Sequence, residues 1–389
     1  MNGDRQAALV TAFALALASA VSLGLARFSY ALLLPAMRAD LGWSYFTAGA
    51  MNTCNAAGYL LGALLAPRAL ARFDARAVLL AGGLGAALLL AAHGLVLGDA
   101  ALFVLRFLTG LASAASFVGG GLLAARLAGD GLSAGLALGI YYGGTGLGII
   151  ASALIVPTWA ERIAPHAWQS AWLALGAAAL LATAVTARAT RRLAAASGAA
   201  LARAPFRWGS MRFALAGYLM FGLGYIGYMT FVITLLREQG LSRGQIVGFY
   251  MLLGACVVAS SWLWAGLLQR CRGGQALALF NGLLVIATLL PVLSAHPMAV
   301  FASGALFGAV FLSVVASTTA LVRHNLPAAA WPSGIAAFTI VFAAGQIVGP
   351  SAVGFVADGP GGLARGFVAS AAVLALGALL GAMQRALDR

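Results

Sequence analysis

Acidic side chains are scarce in this chain: Asp and Glu together number nine in 389 residues. Lysine is absent, so all 23 cationic side chains are arginine. A Walker A loop needs its lysine on the nucleotide phosphates, which excludes the usual P-loop site for ATP hydrolysis. Any energy source inside this polypeptide is therefore expected to be an ion or solute gradient. Cysteine is nearly missing as well. Cys54, Cys256 and Cys271 lie far apart with no CxxC spacing, and Cys54 and Cys256 read as small apolar packing residues. His93, His166, His296 and His324 are equally scattered, so neither a metal centre nor any other cofactor is expected. The HExxH of zinc proteases and the paired Asp of prenyl-transfer enzymes are also missing, and no enzyme activity is expected.

What the chain has instead is apolar length. Hydrophobic residues make up 62% and charged residues 8%, against about 25% charged in a soluble domain, and the mean hydropathy is +0.98. The net charge of +14 is spread along the whole sequence and forms no single basic face, so nucleic acid is not an expected partner. The all-arginine, Ala- and Gly-rich composition is in keeping with a GC-rich bacterial genome.

A membrane-spanning helix takes roughly 20 mostly apolar residues. Spans fall near 8–37, 45–66, 77–97, 100–127, 133–157 and 168–187, and then near 211–236, 244–268, 275–294, 298–322, 333–357 and 364–386. Arg5, an apolar run and Ala18-Ser19-Ala20 resemble a cleavable signal, yet the apolar stretch continues through Leu25 and resumes after Arg27 as far as Met37, so it reads as an uncleaved first helix. The expected fold is all-α: a polytopic membrane protein of twelve helices.

Arginine placement sets an orientation. With both termini cytoplasmic, the inner segments hold sixteen arginines: Arg5, Arg68, Arg72, Arg76, Arg126, Arg188, Arg191, Arg192, Arg203, Arg207, Arg212, Arg270, Arg272, Arg323, Arg385 and Arg389. The outer loops hold five: Arg38, Arg162, Arg237, Arg243 and Arg365. Dropping or adding one span would scramble that asymmetry.

The longest polar interruption divides the chain into a six-helix half over 1–187, a basic cytoplasmic linker over 188–210 and a second six-helix half over 211–389. The halves show matching residues at an offset near 200: Leu23-Gly24 and Leu41 with Leu223-Gly224 and Leu241, Phe103 and Gly110 with Phe301 and Gly308, Ser152-Ala153 with Ser351-Ala352. Two parallel halves of this kind suit alternating access about a midplane site. The GxxxG pairs Gly58/Gly62, Gly139/Gly143, Gly144/Gly148, Gly304/Gly308 and Gly345/Gly349 predict closely packed helices.

Across essentially its whole length the chain resembles the major facilitator superfamily (MFS), and within it the YbfB/YjiJ-type branch. The segments that carry the likeness are Arg27-Phe28-Ser29-Tyr30 with Pro35, Asn55 through Gly62, Arg106 to Gly110, Gly143 to Gly148, and Gly345-Gln346 with Gly349-Pro350. The resemblance implies a twelve-helix transporter. It also implies a latch in the loop after the second span, where this chain reads Ala71-Arg72-Phe73-Asp74-Ala75-Arg76: Ala71 stands at the family's Asp, leaving Arg72, Asp74 and Arg76 as the latch candidates. The fifth span lacks the Pro of the antiporter signature.

Two residues stand out for chemistry. Arg27 and Arg106 lie within spans, and an arginine near the bilayer centre costs roughly 2.5–3.5 kcal/mol even on the mildest scale, so such residues face a cavity or a partner. The acidic residues all fall at the ends of spans, which makes an anionic substrate a natural counter-charge for a guanidinium fork. The alternative for Arg106 is bonding to backbone carbonyls of neighbouring helices, and for Arg27 snorkelling to the outer interface. Asn52, Asn55 and Tyr59 at i, i+3 and i+7 form a polar stripe on the second span, directed at the central cavity or another helix. Tyr30, Tyr142, Tyr225, Tyr228 and Gln346 lie on helices that line the cavity in the superfamily, and the resemblance makes them further candidates.

The expectation is a secondary transporter of the bacterial inner membrane: a monomer in contact with lipid, moving a small solute of organic-anion type by alternating access. Without a carboxylate inside a span, a coupled proton has to ride on the substrate or on an unusual group. Efflux of hydrophobic or cationic drugs by proton antiport is the competing reading.

Overall fold

The computed structural model describes residues 2–127, 132–160, 164–191, 193 and 206–387. Within them the regular structure is helical, with no strand. The chain opens with α1 (Asn2–Ser19), a π-helical segment (Ala20–Phe28) and α2 (Tyr30–Leu41), which together form one span. Next come α3 (Tyr45–Arg72), α4 (Ala75–His93), α5 (Asp99–Arg126), α6 (Ala134–Ala160) and α7 (Ala167–Ala189). After the linker follow α8 (Arg212–Glu238), α9 (Arg243–Leu263) with its short continuation α10 (Ala265–Arg270), α11 (Gln275–Leu293), α12 (Pro297–Asn325), α13 (Trp331–Ala357) and α14 (Gly362–Met383). Of the expected linker 188–210, residues 192 and 194–205 lie outside the described residues.

Among the described residues, eleven helical stretches are long and apolar enough to cross a membrane. The twelfth long helix, α3, is 28 residues in length, about 40 Å at 1.5 Å per residue and enough to span a bilayer core. Its hydropathy is lowered by Asn52, Thr53 and Asn55. The helices extend or stop a few residues away from the sequence-based bounds. The second span runs on to Arg72, the third ends at His93, and the eighth is broken at Trp264.

Two compact units are formed. The first holds Met1–Gly42, Cys54–Ala199 and Ile246–Val258, and the second holds Trp43–Thr53, Ala200–Gln245 and Ala259–Arg389. The first unit has a core of small and branched side chains, among them Ala12, Leu15, Leu79, Leu123 and Ala137, with the Tyr141 ring packed into it. Here α6 lies backbone to backbone on the first span. A Cβ on Gly144 would strike the Ala16 carbonyl, and one on Gly148 would strike that of Ala20. The GxxxG spacing is thus used for close approach. At one end of this unit the Asp40 carboxylate accepts from Trp168 Nε1 at 2.5 Å and pairs with His166 Nδ1 at 2.6 Å, tying α2 to α7.

The second unit is built on aromatic stacking along α8. Phe221 stacks on Tyr225 at 4.6 Å and on Phe342 at 5.3 Å, and Tyr228 stacks on Phe307 at 3.9 Å. The first turn of α3 also belongs here. The two Asp358 carboxylate oxygens accept from the Tyr45 and Phe46 backbone N–H groups, at 2.7 and 2.9 Å, and the Tyr45 hydroxyl bonds the Glu238 carboxylate. Anionic acceptors at a helix N-terminus satisfy its orphan donors and complement its dipole.

Candidate substrate site

The first span changes helical register beside Arg27. The π pattern closes with Ser29 N–H donating to the Gly24 carbonyl at 3.0 Å, after which α2 starts in ordinary α geometry. A register change leaves carbonyls that the backbone ladder does not serve, and buried carbonyls need donors from elsewhere. Three side chains supply them. Ser29 Oγ donates to Leu25 O at 2.5 Å, Arg106 Nη1 to Ala26 O at 2.8 Å, and the Tyr250 hydroxyl to Phe28 O at 2.6 Å. Arg27 therefore sits in a stretch of backbone held by donors from Ser29, α5 and α9.

The two intramembrane arginines differ in setting. Arg106 is fully buried, with its guanidinium carbon 5.0 Å from the Tyr30 ring centroid and 5.7 Å from that of Trp172. Trp172 in turn stacks on His93 at 4.5 Å. Arg27 is 4% exposed and lies over the Tyr59 ring at 5.7 Å and the Phe28 ring at 6.0 Å. Such contacts between a guanidinium and aromatic faces are worth up to about 2 kcal/mol where water is excluded.

The polar stripe of α3 divides between the units. Asn55 Nδ2 donates to the Arg106 carbonyl at 3.2 Å in the first, and Asn52 Nδ2 donates to Thr230 Oγ1 at 2.7 Å in the second. Tyr59 is partly exposed. Its ring packs on Phe117 at 6.4 Å, and Phe117 on Tyr142 at 5.8 Å. Arg27, Tyr30, Asn55, Tyr59, Arg106 and Tyr142 all belong to the first unit.

The second unit holds the remaining candidates. Tyr225 is 3% exposed and stacks with Phe311 and Phe342. Tyr228 is buried; Ser303 gives its proton to Ala287 O at 2.6 Å, so the Tyr228 hydroxyl donates to Ser303 Oγ at 2.7 Å. Gln346 is buried in α13.

Of the latch candidates, Asp74 caps α4, its carboxylate accepting from Arg76 N–H at 3.3 Å. Arg76 reaches α7, donating from Nη2 to Ala187 O at 2.8 Å and from Nε to Thr190 Oγ1 at 3.2 Å. Arg72 ends α3 and is exposed.

Among the described residues no three His, Cys, Asp or Glu side chains gather as a metal site, and each described acid lies at or near the end of a helix. Ser29, Phe117, Trp172, Thr230 and Tyr250 complete these constellations without having been singled out in the sequence. Ser29 alone fell within a motif; the other four lay in none.

Among the described residues, long apolar helices with buried arginines and a π-helical segment in the first span make up a polytopic, membrane-type all-α fold. Solved structures agree. A nucleoside transporter, NupG, superposes with a TM-score of 0.74 at 14% identity, covering 96% of this chain and 99% of its own. A peptide transporter, POT, does so with 0.74 at 16% identity, covering 98% and 97%. A bacterial homolog of the human lysosomal transporter Spinster, inward-facing and unoccupied, gives 0.72 at 14% identity, with 96% of each chain covered. At these identities the likeness is one of fold. No curated protein matches the sequence. The family model for the uncharacterised MFS-type transporter YbfB matches residues 19–382, and the chain belongs to that family.

Proposed function

We propose that this transporter carries a small organic anion across the bacterial inner membrane by alternating access, as a monomer among lipids with both termini cytoplasmic, and that Arg27 receives the anion. The reading rests on one observation above others: Arg27 is a buried guanidinium set in a π-helical break, and such breaks in helices recur at functional sites. Discontinuous spans are also where transporters place their solutes. Arg106 and Tyr30 then act behind the site. Arg106 fixes the backbone one residue before Arg27 through the Ala26 carbonyl, while its own charge rests against aromatic faces. Gln346, Tyr225, Tyr228 and Asn52 are candidate solute contacts of the second unit. With each described acid at or near a helix end, a symported proton travels on the substrate's own carboxyl group, and uniport or exchange are the alternatives. No cofactor is assigned.

The stacked rings of Tyr218, Phe221, Tyr225 and Phe342 favour the second reading, efflux of hydrophobic or cationic drugs. A thermal-shift screen of detergent-purified protein separates the two. A ligand that binds the folded state alone raises the melting temperature by mass action. Organic anions are expected to stabilise the wild type and leave Arg27→Ala unmoved. Lipophilic cations that stabilise both proteins equally would overturn the anion reading.

A further inference from the structure

Arg27 is the inner end of a row of aromatic rings. Its guanidinium lies over Tyr59 of α3, Tyr59 packs on Phe117 of α5, and Phe117 packs on Tyr142 of α6. Three helices thus each contribute one ring, and the two ends of the row differ in exposure, 4% at Arg27 and 42% at Tyr142, with Tyr59 and Phe117 partly exposed between them.

The exposure of Tyr142 differs in kind from that of its neighbours on α6. Leu147, Leu154 and Thr158 are also exposed on that helix. At about 100° per residue they lie together, and Tyr142 is rotated roughly 120–160° away from them. An apolar exposed face of a membrane helix is the one lipid covers. Tyr142 therefore presents its ring and hydroxyl on a separate face, the one that carries Phe117 and leads inward to Arg27.

We infer that the transported anion is aromatic: a flat ring bearing a carboxylate, which the Arg27 fork receives while the ring lies against Tyr59, Phe117 and Tyr142. This rests on the assignment of Arg27 as the anion's partner. Aromatic pairs add to simple area burial by an amount equal to about a twofold to tenfold gain in affinity. A saturated ring of the same size and charge forgoes that gain. A short aliphatic carboxylate forgoes the apolar contact too.

The test is binding of benzoate, 2-naphthoate, cyclohexanecarboxylate and propionate to purified full-length protein by calorimetry, with Arg27→Gln, Phe117→Leu and Tyr142→Leu beside the wild type. Tyr142 is exposed, so its variant tests the row even where Phe117→Leu folds poorly. Expected is a twofold to tenfold preference, about the range above, for the aromatic acids over cyclohexanecarboxylate, weakest binding of propionate, and a preference that shrinks in the two leucine variants. If all four acids bind alike, and all depend on Arg27, the anion assignment stands and the aromatic inference falls. If none depends on Arg27, the anion assignment itself fails and takes this inference with it.

Discussion

A cation placed in a bilayer needs somewhere to put its charge, and Arg106 uses two ring faces and a carbonyl for it. The planar fork matters here: it slots beside Tyr30 and Trp172 and still reaches Ala26 O. Lysine keeps the charge but neither stacks nor reaches with a fixed fork. Arg106→Lys is accordingly expected to lower stability by about 2 kcal/mol, the worth of a charge-assisted hydrogen bond. A detergent unfolding titration reads it, and an unchanged midpoint would show that the contact contributes nothing. Tyr250→Phe removes a hydroxyl alone and leaves the Phe28 carbonyl without that donor, at a cost of about 1 kcal/mol. If Tyr250 also positions Arg27, ligand affinity drops in the same variant while expression does not. The two arginines were legible in the sequence because charge inside an apolar run is costly wherever it appears. Tyr250 was not, since a tyrosine in a span is ordinary packing until its partner, 222 positions away, is known.

Elements show the same division between local and distant causes. Eleven of the spans follow from apolar length and the second from helix length alone, and the tight contact of α6 with the first span follows from GxxxG spacing. The π-helical stretch does not. Ala20–Phe28 reads AVSLGLARF, as apolar as any α-helical neighbour, and its register is held by donors that arrive from α5 and α9. The start of α3 is likewise set from afar, by Asp358 more than 300 positions on. In Asp358→Ala the Tyr45 and Phe46 amides lose their acceptor, costing about 1 kcal/mol as for other lost N-caps. Hydrogen exchange of the peptide covering 44–50 is expected to speed up while that of 54–66 stays as it was. Equal rates in variant and wild type would mean that the carboxylate does not hold the helix end. For α6 the corresponding change is Gly148→Val. Its branched side chain would meet the Ala20 carbonyl and the Gly24 backbone, which cannot retreat, so folded protein in the membrane should fall sharply. Normal abundance of that variant would refute the close approach.

At the scale of the whole molecule, the decisive quantity is where the arginines are not. Sixteen of them fall in segments on one side of the twelve-span arrangement and five on the other. The positive-inside rule turns that difference into an orientation, with the richer side cytoplasmic. Two glycines offer a clean test, because a side chain at either meets nothing within 4 Å. In the proposed orientation Gly98, in the turn between α4 and α5, lies on the outer side, and Gly209, just before α8, on the inner. Single cysteines there, in a background with Cys54, Cys256 and Cys271 replaced by serine or alanine, can be exposed to a membrane-impermeant maleimide. Gly98→Cys should be labelled in intact cells, and Gly209→Cys only after the membrane is permeabilised. The reverse pattern would invert the molecule in the membrane, and the linker with its cluster of arginines would then face outward. Labelling of both in intact cells would mean an odd number of spans has been miscounted between them, since residues 98 and 209 are separated by α5, α6 and α7 and must lie on opposite sides if each of the three crosses once.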